Sequence, residues 1–467
     1  MKLDALWITG FVDGEGCFHV GHRRCGSNHW RPGGALWAHC DKSETPGRPQ
    51  RPAFYLLSRH TCLFRLTIRP RYSVPMLTRR QAVTGAAATA LSYSRILGAN
   101  DRIGLGVIGT GERGTYVMTL FQKNADVEVR ALCDVYGVRV DQAQQKAPNT
   151  ATFGIHTRLL EMKEVDAVLV GTPDHWHKAV AIDAMNAGKD VYVEKPMCRR
   201  REEAPEMVKA ARATGRICQI GLQQRSGQIY LEPLEKFVRS GAIGTIAHID
   251  AVWHGGVPRP LPKEPAQKPS NLDWLRFLGP VAYRDWNPGQ YLNFRAFLDF
   301  NGGKITDFGH HWIDVVHMFM GERAPHSAVF AGGIYYDQHD GRTAPDTCNA
   351  LFEYDGFSVL FQSNAYAVGP EYGVTFYGDK GKLFVHRNRY DFTPAGRNAQ
   401  TVTRSIPGDI TAYHVRNFLD CCKSRKLPNA DAAIAAVSIL PPLLAVQSYE
   451  EQRRLRFDPA RLEVLPF

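Results

Sequence analysis

No CxxC pair occurs anywhere in this sequence, and its 10 cysteines among 467 residues follow no metal-ligand spacing. That removes the common zinc-ribbon and dithiol patterns. Cys421 and Cys422 are adjacent, which is poor geometry for a bond between them. Cys17, Cys25, Cys40 and Cys62 lie near His29 and His39, but their intervals match no zinc pattern and no metal is expected there. The chain also shows no apolar run long enough to cross a bilayer, so no membrane partner is expected. At 44% hydrophobic and 22% charged, the composition is that of a soluble globular protein rather than a disordered one. The net charge of +11 raises a nucleic-acid partner, but residues 1–75 alone hold 11 Lys and Arg against 5 Asp and Glu. The remainder is nearly balanced, at 46 against 41, and nucleic acid is not expected as its partner.

The length calls for two or three domains. From Asp101 onward short apolar strands alternate with helical patterns: Ile103–Ile108, Val127–Cys133, Ala167–Val170, Val191–Val193 and Ile217–Ile220 read as strands. Helical stretches run from about Arg113 to Lys123, Lys178 to Ala187 and Ala204 to Ala213. Such alternation means parallel βαβ units. After about residue 245 the texture changes to longer, partly alternating strands at Ala247–Trp253, Ser327–Tyr336, Thr347–Ser363 and Val374–Val385. Gly378-Asp379-Lys380-Gly381 makes a hairpin turn inside the last of these, and helices near Ile410–Arg425 and Asp431–Tyr449 close the chain. The expected fold is an α/β Rossmann domain at 102–225, followed at 226–467 by an α+β domain with a large, mostly antiparallel open sheet.

Between the first strand and the first helix stands Gly109-Thr110-Gly111-Glu112-Arg113-Gly114. Gly109 permits a tight turn, Gly111 lets backbone approach a pyrophosphate, and Gly114 lets the helix pack closely. The helix N-terminus then offers free N–H groups and partial positive charge to phosphates. Asp134, twenty residues after Gly114, ends the second strand, where a carboxylate accepts from a ribose 2′-OH and repels a 2′-phosphate. That argues for NAD, although Asp134 could instead cap the next helix and Arg139 leaves NADP possible.

Glu194-Lys195-Pro196 stands at the end of a strand, where open α/β sheets bind ligands. Gly302-Gly303-Lys304-Ile305-Thr306-Asp307-Phe308-Gly309-His310-His311-Trp312-Ile313-Asp314 lies in the second domain. With Gly171-Thr172-Pro173 and His177, these resemble the Gfo/Idh/MocA family of oxidoreductases, which includes glucose–fructose oxidoreductase and inositol dehydrogenase. The resemblance spans about residues 102 to 460. The stretch Asn271–Tyr291 resembles a branch rich in members bearing export signals.

The resemblance implies NAD(P)-dependent hydride transfer to or from a hydroxyl of a sugar, glycoside or polyol. It makes Lys195, Asp307 and His311 catalytic, and Glu112, Arg113, Thr172, Pro173, Glu194 and Lys195 cofactor-binding together with the glycines. It also implies a homo-oligomer formed through the open face of the second sheet. The chemistry agrees: alcohol oxidation needs a base, and His serves at neutral pH. Asp307 and His311, four residues apart, would share a helix face so that the carboxylate orients the imidazole. Lys195 would hold the substrate oxygen and stabilise its developing charge, beside a Pro196 bond that could be cis. His177 either caps its helix or touches the nicotinamide ribose. Gln223, Gln224, Arg225 and Ser226 are sugar contacts or structural, Trp274, Trp286 and Tyr291 stack on a sugar or fill space, and His310 is a lesser substrate candidate beside local packing. Asp307, His311 and Asp314 or His317 permit a metal by spacing, but hydride transfer needs none and none is expected. A rival on the same scaffold is a glycosidase using NAD as a recycled redox catalyst.

Two further resemblances precede this region. Leu3–Phe18, with Ile8-Thr9-Gly10-Phe11-Val12-Asp13-Gly14-Glu15-Gly16, resembles the first LAGLIDADG homing-endonuclease motif, Glu15 falling on its metal-binding acid. No second copy follows, so residues 1–75 are expected to be a non-functional fragment or a mis-set start. Met76-Leu77-Thr78-Arg79-Arg80-Gln81 and the Ala-rich stretch after it have the layout of a twin-arginine export signal at 76–101. The alternative is a chance Arg-Arg before an Ala-rich helix. Translation from Met76 would make the enzyme periplasmic; otherwise it is cytoplasmic.

Overall fold

Ile103–Ile108 (β1) is apolar along its whole length because both of its faces are covered, and all six residues are buried. The computed structural model describes residues 102–255, 261, 267–366 and 372–466. The LAGLIDADG-like and twin-arginine segments lie outside the described residues. β1 pairs in parallel with Val127–Cys133 (β2) on one side and Ala167–Val170 (β4) on the other. Ala151–Phe153 (β3), Asp190–Val193 (β5) and Cys218–Ile220 (β6) complete a six-stranded sheet ordered β3-β2-β1-β4-β5-β6. The order reverses between β1 and β4, which opens a crevice at the carboxyl ends of the strands. The sequence reading misses β3, a three-residue edge strand with no apolar run behind it.

The second sheet has ten strands. They are Ile246–Val252 (β7), Ser327–Gly333 (β8), Thr347–Tyr354 (β9), Phe357–Asn364 (β10), Gly373–Gly378 (β11), Gly381–Val385 (β12), Arg389–Pro394 (β13), Val402–Ser405 (β14), Leu455–Asp458 (β15) and Glu463–Val464 (β16). β7 runs parallel to β10 and antiparallel to β11, and every other pair is antiparallel. The fold class expected from the sequence is the one observed. The Gly378–Gly381 hairpin forms as expected, whereas the single stretch read at Thr347–Ser363 is two strands turning at Asp355-Gly356.

The last two helices return to the first sheet although they follow the second in sequence. Ile410–Ser424 lays Val415, Phe418 and Leu419 into one core with β1 and the helix Glu112–Gln122. Asp431 caps the helix Ala432–Glu451, accepting from Ala433 N–H. Ala435, Ile439 and Leu443 of this helix join the Rossmann core, while Leu440, Leu444 and Val446 join the core of the large sheet. A helix with a core on each side is apolar all round. It corrects the expectation that no apolar run reaches membrane length: this one does by length and composition, and it is 67% buried within the fold.

Arg425, past the end of Ile410–Ser424, pairs at 2.5 Å with Asp190, whose side chain is 2% exposed. Removing one partner of a buried ion pair strands the other charge. Arg425→Ala should therefore lower stability by about 3 kcal/mol, read as an earlier urea-unfolding midpoint.

Candidate active site

The glycine loop is built by close approach. Gly109 has φ +89°, and a Cβ there would stand 2.5 Å from Thr172 N. A Cβ on Gly114 would lie 1.9 Å from Gly109 O, so helix and loop touch at that point. A Cβ on Gly111 meets nothing within 4 Å, because this residue faces a cleft of about 770 Å³. Asp134 accepts from Thr110 N (2.8 Å), Thr110 Oγ1 (3.3 Å) and Tyr136 N (3.0 Å), which ties the second strand to the glycine loop. Burial pushes its carboxyl up, opposed by those bonds. Its bond to Tyr136 is the local turn, and its cleft-lining position leaves carboxylate acceptor capacity for ribose hydroxyls. Thr172 Oγ1, also at the cleft, is buried without a hydrogen-bond partner. An open helix N-terminus, an acid with spare capacity and an orphan hydroxyl suit a nicotinamide dinucleotide.

At the other end Arg113 pairs with Glu194 at 2.8 Å, bracing the helix against the carboxyl end of β5. Burial opposes the Arg113 charge, and Glu194 more than restores it, leaving the guanidinium above its ordinary pKa. The Lys195–Pro196 bond is cis. Lys195 Nζ donates to Asp307 Oδ1 at 2.5 Å and to Asp307 O at 2.7 Å. Burial alone would raise the Asp307 carboxyl, but Lys195 and then Arg295, 3.4 Å away, hold it well below the carboxylate range.

His311 sits in the first turn of the helix Gly309–Met320, and Asp307 ends a separate short helix, Lys304–Asp307. The expected Asp307–His311 contact is absent, since the carboxylate faces Lys195 and Arg295. His311 Nδ1 instead bonds Gln224 Oε1 at 3.0 Å, and the ring stacks on Trp253 at 5.8 Å. An amide oxygen only accepts, so Nδ1 carries the proton and Nε2 is the basic nitrogen. Burial, then Lys195 and Arg387, hold the His311 pKa well below its ordinary value. The cleft therefore brings together a neutral base, an ammonium and an ionised carboxylate.

Family models match this chain over both layers: the oxidoreductase family with NAD-binding Rossmann fold at residues 103–222, and the oxidoreductase-family C-terminal alpha/beta domain at 230–466. The chain belongs to the Gfo/Idh/MocA oxidoreductase family. An alpha-N-acetylgalactosaminidase of Shewanella oneidensis is 32% identical over 158 residues, which cover 32% of this chain and 34% of that protein. A glycosyl hydrolase family 109 protein of Shewanella sp. strain ANA-3 is 31% identical over 33% of this chain and 35% of its own. The chain thus matches about a third of the length of these curated relatives. Among solved structures, levoglucosan dehydrogenase in complex with NADH and levoglucosan superposes with a TM-score of 0.61 at 16% identity, covering 76% of this chain and 99% of that one. An oxidoreductase domain protein from Kribbella flavida gives 0.62 at 20% identity, covering 79% and 100%. At these identities the structures establish the fold.

Within this Gfo/Idh/MocA fold, Gly109, Gly111, Glu112, Arg113, Asp134, Thr172, Pro173, Glu194, Lys195, Asp307 and His311 line one cleft. Several other candidates fall elsewhere. His177 lies behind the cleft, its Nδ1 2.7 Å from Pro196 O and its Nε2 2.9 Å from Thr172 O, so it braces the turns that carry Lys195 and Thr172. Gln224 is behind His311 rather than on the substrate side. Arg225 is buried on Asp314 at 2.8 Å and Glu322 at 3.0 Å, where one charge compensates the others. His310 points to Ser438 Oγ at 3.1 Å; of the metal reading, Asp307 turns to Lys195, His311 to Gln224, Asp314 to Arg225 and His317 to Tyr354 OH at 3.0 Å, so those side chains diverge. Trp274 is packed in a small apolar cluster, its Nε1 donating to Arg284 O. Tyr291 lines the cleft, edge-on to Tyr136 near Asp134, which is the ribose end. The sequence reading overlooks Asp174, Trp253, Arg295 and Arg387, which also line the cleft. Asp174 directly follows Gly171-Thr172-Pro173 and was findable; the other three carry no pattern.

Gly114→Ala should abolish NAD binding in equilibrium titration, since its Cβ overlaps Gly109 O. Gln224→Leu should lower kcat on the order of 10- to 100-fold while leaving NAD affinity intact, as turnover set against titration will show.

Proposed function

We propose that this protein is an NAD-dependent oxidoreductase that transfers a hydride between the nicotinamide and a hydroxyl or carbonyl carbon of a sugar, glycoside or polyol. The observation that carries the reading is the neutral His311 lining one cleft with the Lys195–Asp307 pair and the glycine loop. A bound nicotinamide supplies the hydride acceptor. His311 Nε2 takes the hydroxyl proton as the carbinol carbon is oxidised. Lys195 spends two of its three N–H donors on Asp307, and the third is free to hold the substrate oxygen. Asp307 fixes that ammonium in place. Asp134 at the ribose end supports NAD, and Arg139 beside it keeps NADP within reach.

A second reading is favoured by the family 109 and alpha-N-acetylgalactosaminidase relatives: a glycosidase that oxidises its substrate transiently and restores it. Both readings use the same base and the same oxygen clamp. A panel of free sugars, polyols and aryl glycosides incubated with NAD separates them. Net NADH from free sugars supports the dehydrogenase; glycoside cleavage without net NADH supports the glycosidase.

Compartment and assembly belong to the same proposal. The Met76-Leu77-Thr78-Arg79-Arg80-Gln81 layout supports twin-arginine export of a protein started at Met76, and mass spectrometry of the natural N-terminus tests it. A nucleic-acid role for residues 1–75 rests only on the LAGLIDADG resemblance, and DNA binding lost on deleting them would support it. A homo-oligomer through the large sheet's open face is tested by light scattering.

Lys195→Ala and His311→Ala should each remove turnover while NAD still binds. Because burial depresses the His311 pKa, its neutral form persists below the ordinary histidine value of about 6.5. Activity should therefore hold as pH falls through 6.5 and fail only at a lower pH. An acid limb at or above 6.5 in kcat/KM that persists in Asp174→Asn, which removes the one cleft carboxyl raised to about 7, would rule out His311 as the base.

A further inference from the structure

Arg387 differs from the other cations of the cleft. It stands in the turn between β12 and β13 and lines the cleft with Trp253, Lys195 and His311. Its guanidinium lies over the Trp253 ring at 4.8 Å, and that ring also stacks on the His311 imidazole at 5.8 Å, within an aromatic cluster that includes Phe308, Trp312 and Tyr372. Arg387 Nε is buried without a hydrogen-bond partner. Arg113, Lys195, Arg276, Arg295 and Arg342 each have a carboxylate beside them, on Glu194, Asp307, Asp273, Asp307 and Asp337 respectively, while Lys304 donates to Gly255 O and Arg139 lies at the ribose end near Asp134. Among the described residues no carboxylate pairs with Arg387. A planar fork of N–H donors, partly withdrawn from water and left unpaired, is made for a ligand oxyanion, which it grips with two parallel bonds.

We infer that the substrate carries one negative charge, a carboxylate or a sulfate ester, and that Arg387 binds it. The inference rests on the hydride-transfer reading and narrows it to acidic sugars. Among the described cations of the cleft only Arg387 keeps a buried N–H donor without a hydrogen-bond partner, and one such donor group matches a monoanion. The charge lies one aromatic ring away from the base, so it belongs on a substrate carbon other than the one oxidised. Trp253, held among Phe308, Trp312 and Tyr372, contacts both the guanidinium and the imidazole.

The test uses the full chain saturated with NAD and measures binding by calorimetry for matched sugars: glucose, glucuronate and glucose 6-sulfate, then galactose and galacturonate. At least one acid of a set should bind about tenfold or more tightly than its neutral partner. Arg387→Gln should bring that ratio to within about twofold of one, and Arg387→Lys should recover part of it. Tighter binding by only the uronate or only the sulfate names the oxyanion. Equal binding of acid and neutral sugars by the wild type overturns the inference, as does a ratio that Arg387→Gln leaves unmoved. Should Arg387→Gln fail to fold, shown by its melting curve, the wild-type ratio and Arg387→Lys decide. NADH formation over the same set is read separately. Acids that bind through Arg387 without reducing NAD sink hydride transfer and spare the inference; turnover of the neutral sugars alone does the reverse.

Discussion

The ion pair between Lys195 and Asp307 is the constraint on which the site depends. Lys195 follows the fifth strand of the parallel sheet, and Asp307 ends a short helix that belongs to the second sheet's layer. One ammonium grips both the carboxylate and the main-chain carbonyl of the same residue, which fixes the position of that helix end as well as its charge. The next helix begins two residues later and carries His311. The distance between the base and the cofactor loop is thus set through this buried contact, together with Gln224 on His311 and Arg225 on Asp314. His177 supports it from behind, its ring wedged between the Thr172 and Pro196 carbonyls.

Burial disfavours the charged form of both groups that matter, and neighbouring charges decide which of them stays charged. His311 is out of water with cations nearby, so its charged form is disfavoured and it remains a base. Asp307 is equally buried, but Lys195 and Arg295 hold it ionised. Asp174 lines the same cleft; burial first, and then Asp307, raises its carboxyl to about 7. Similar desolvation therefore yields a neutral imidazole, a fixed carboxylate and a carboxyl that titrates near neutrality. Which charge stands next to each group decides among these outcomes.

The cofactor half of this arrangement was legible in the sequence because backbone geometry demands particular residues there. Only glycine tolerates the Gly109–Gly114 contact, and the strand before it is an unbroken apolar run. The substrate half was legible as a list of residues but not as a geometry. Spacing of four placed Asp307 and His311 on one helix, yet the chain breaks between them at Phe308 and the carboxylate turns to Lys195. Gln224 and Arg225 looked alike as neighbours in one polar run; the fold sends one to the imidazole and the other to a buried acid pair. Trp253 and Arg387 come from a strand end and a hairpin turn 134 residues apart, and no local pattern marks residues that meet only after a ten-stranded sheet has formed. The return of the last two helices to the first sheet was hidden for the same reason, since a boundary drawn along the sequence cannot show a chain that crosses it twice.

The site's proton chemistry does not by itself separate a dehydrogenase from a redox-neutral glycosidase. Both need a base that is neutral at working pH, a cation on the oxygen and a hydride acceptor within reach, and His311 with Lys195 serves either. What differs is the fate of the reduced cofactor, and the ribose end of its cleft is built separately. There the segment carrying Phe277 and Tyr291 is fastened to the Rossmann layer by Asp273 N on Val135 O, Gly137 N on Asn271 O and Trp176 Nε1 on Phe277 O. Tyr291 meets Tyr136 edge-on beside Asp134. The walls that position the substrate and the walls that enclose the ribose are therefore built from one domain folded over the other. The contacts that enclose the ribose end are thus distinct from those that hold Lys195, Asp307 and His311 at the catalytic end.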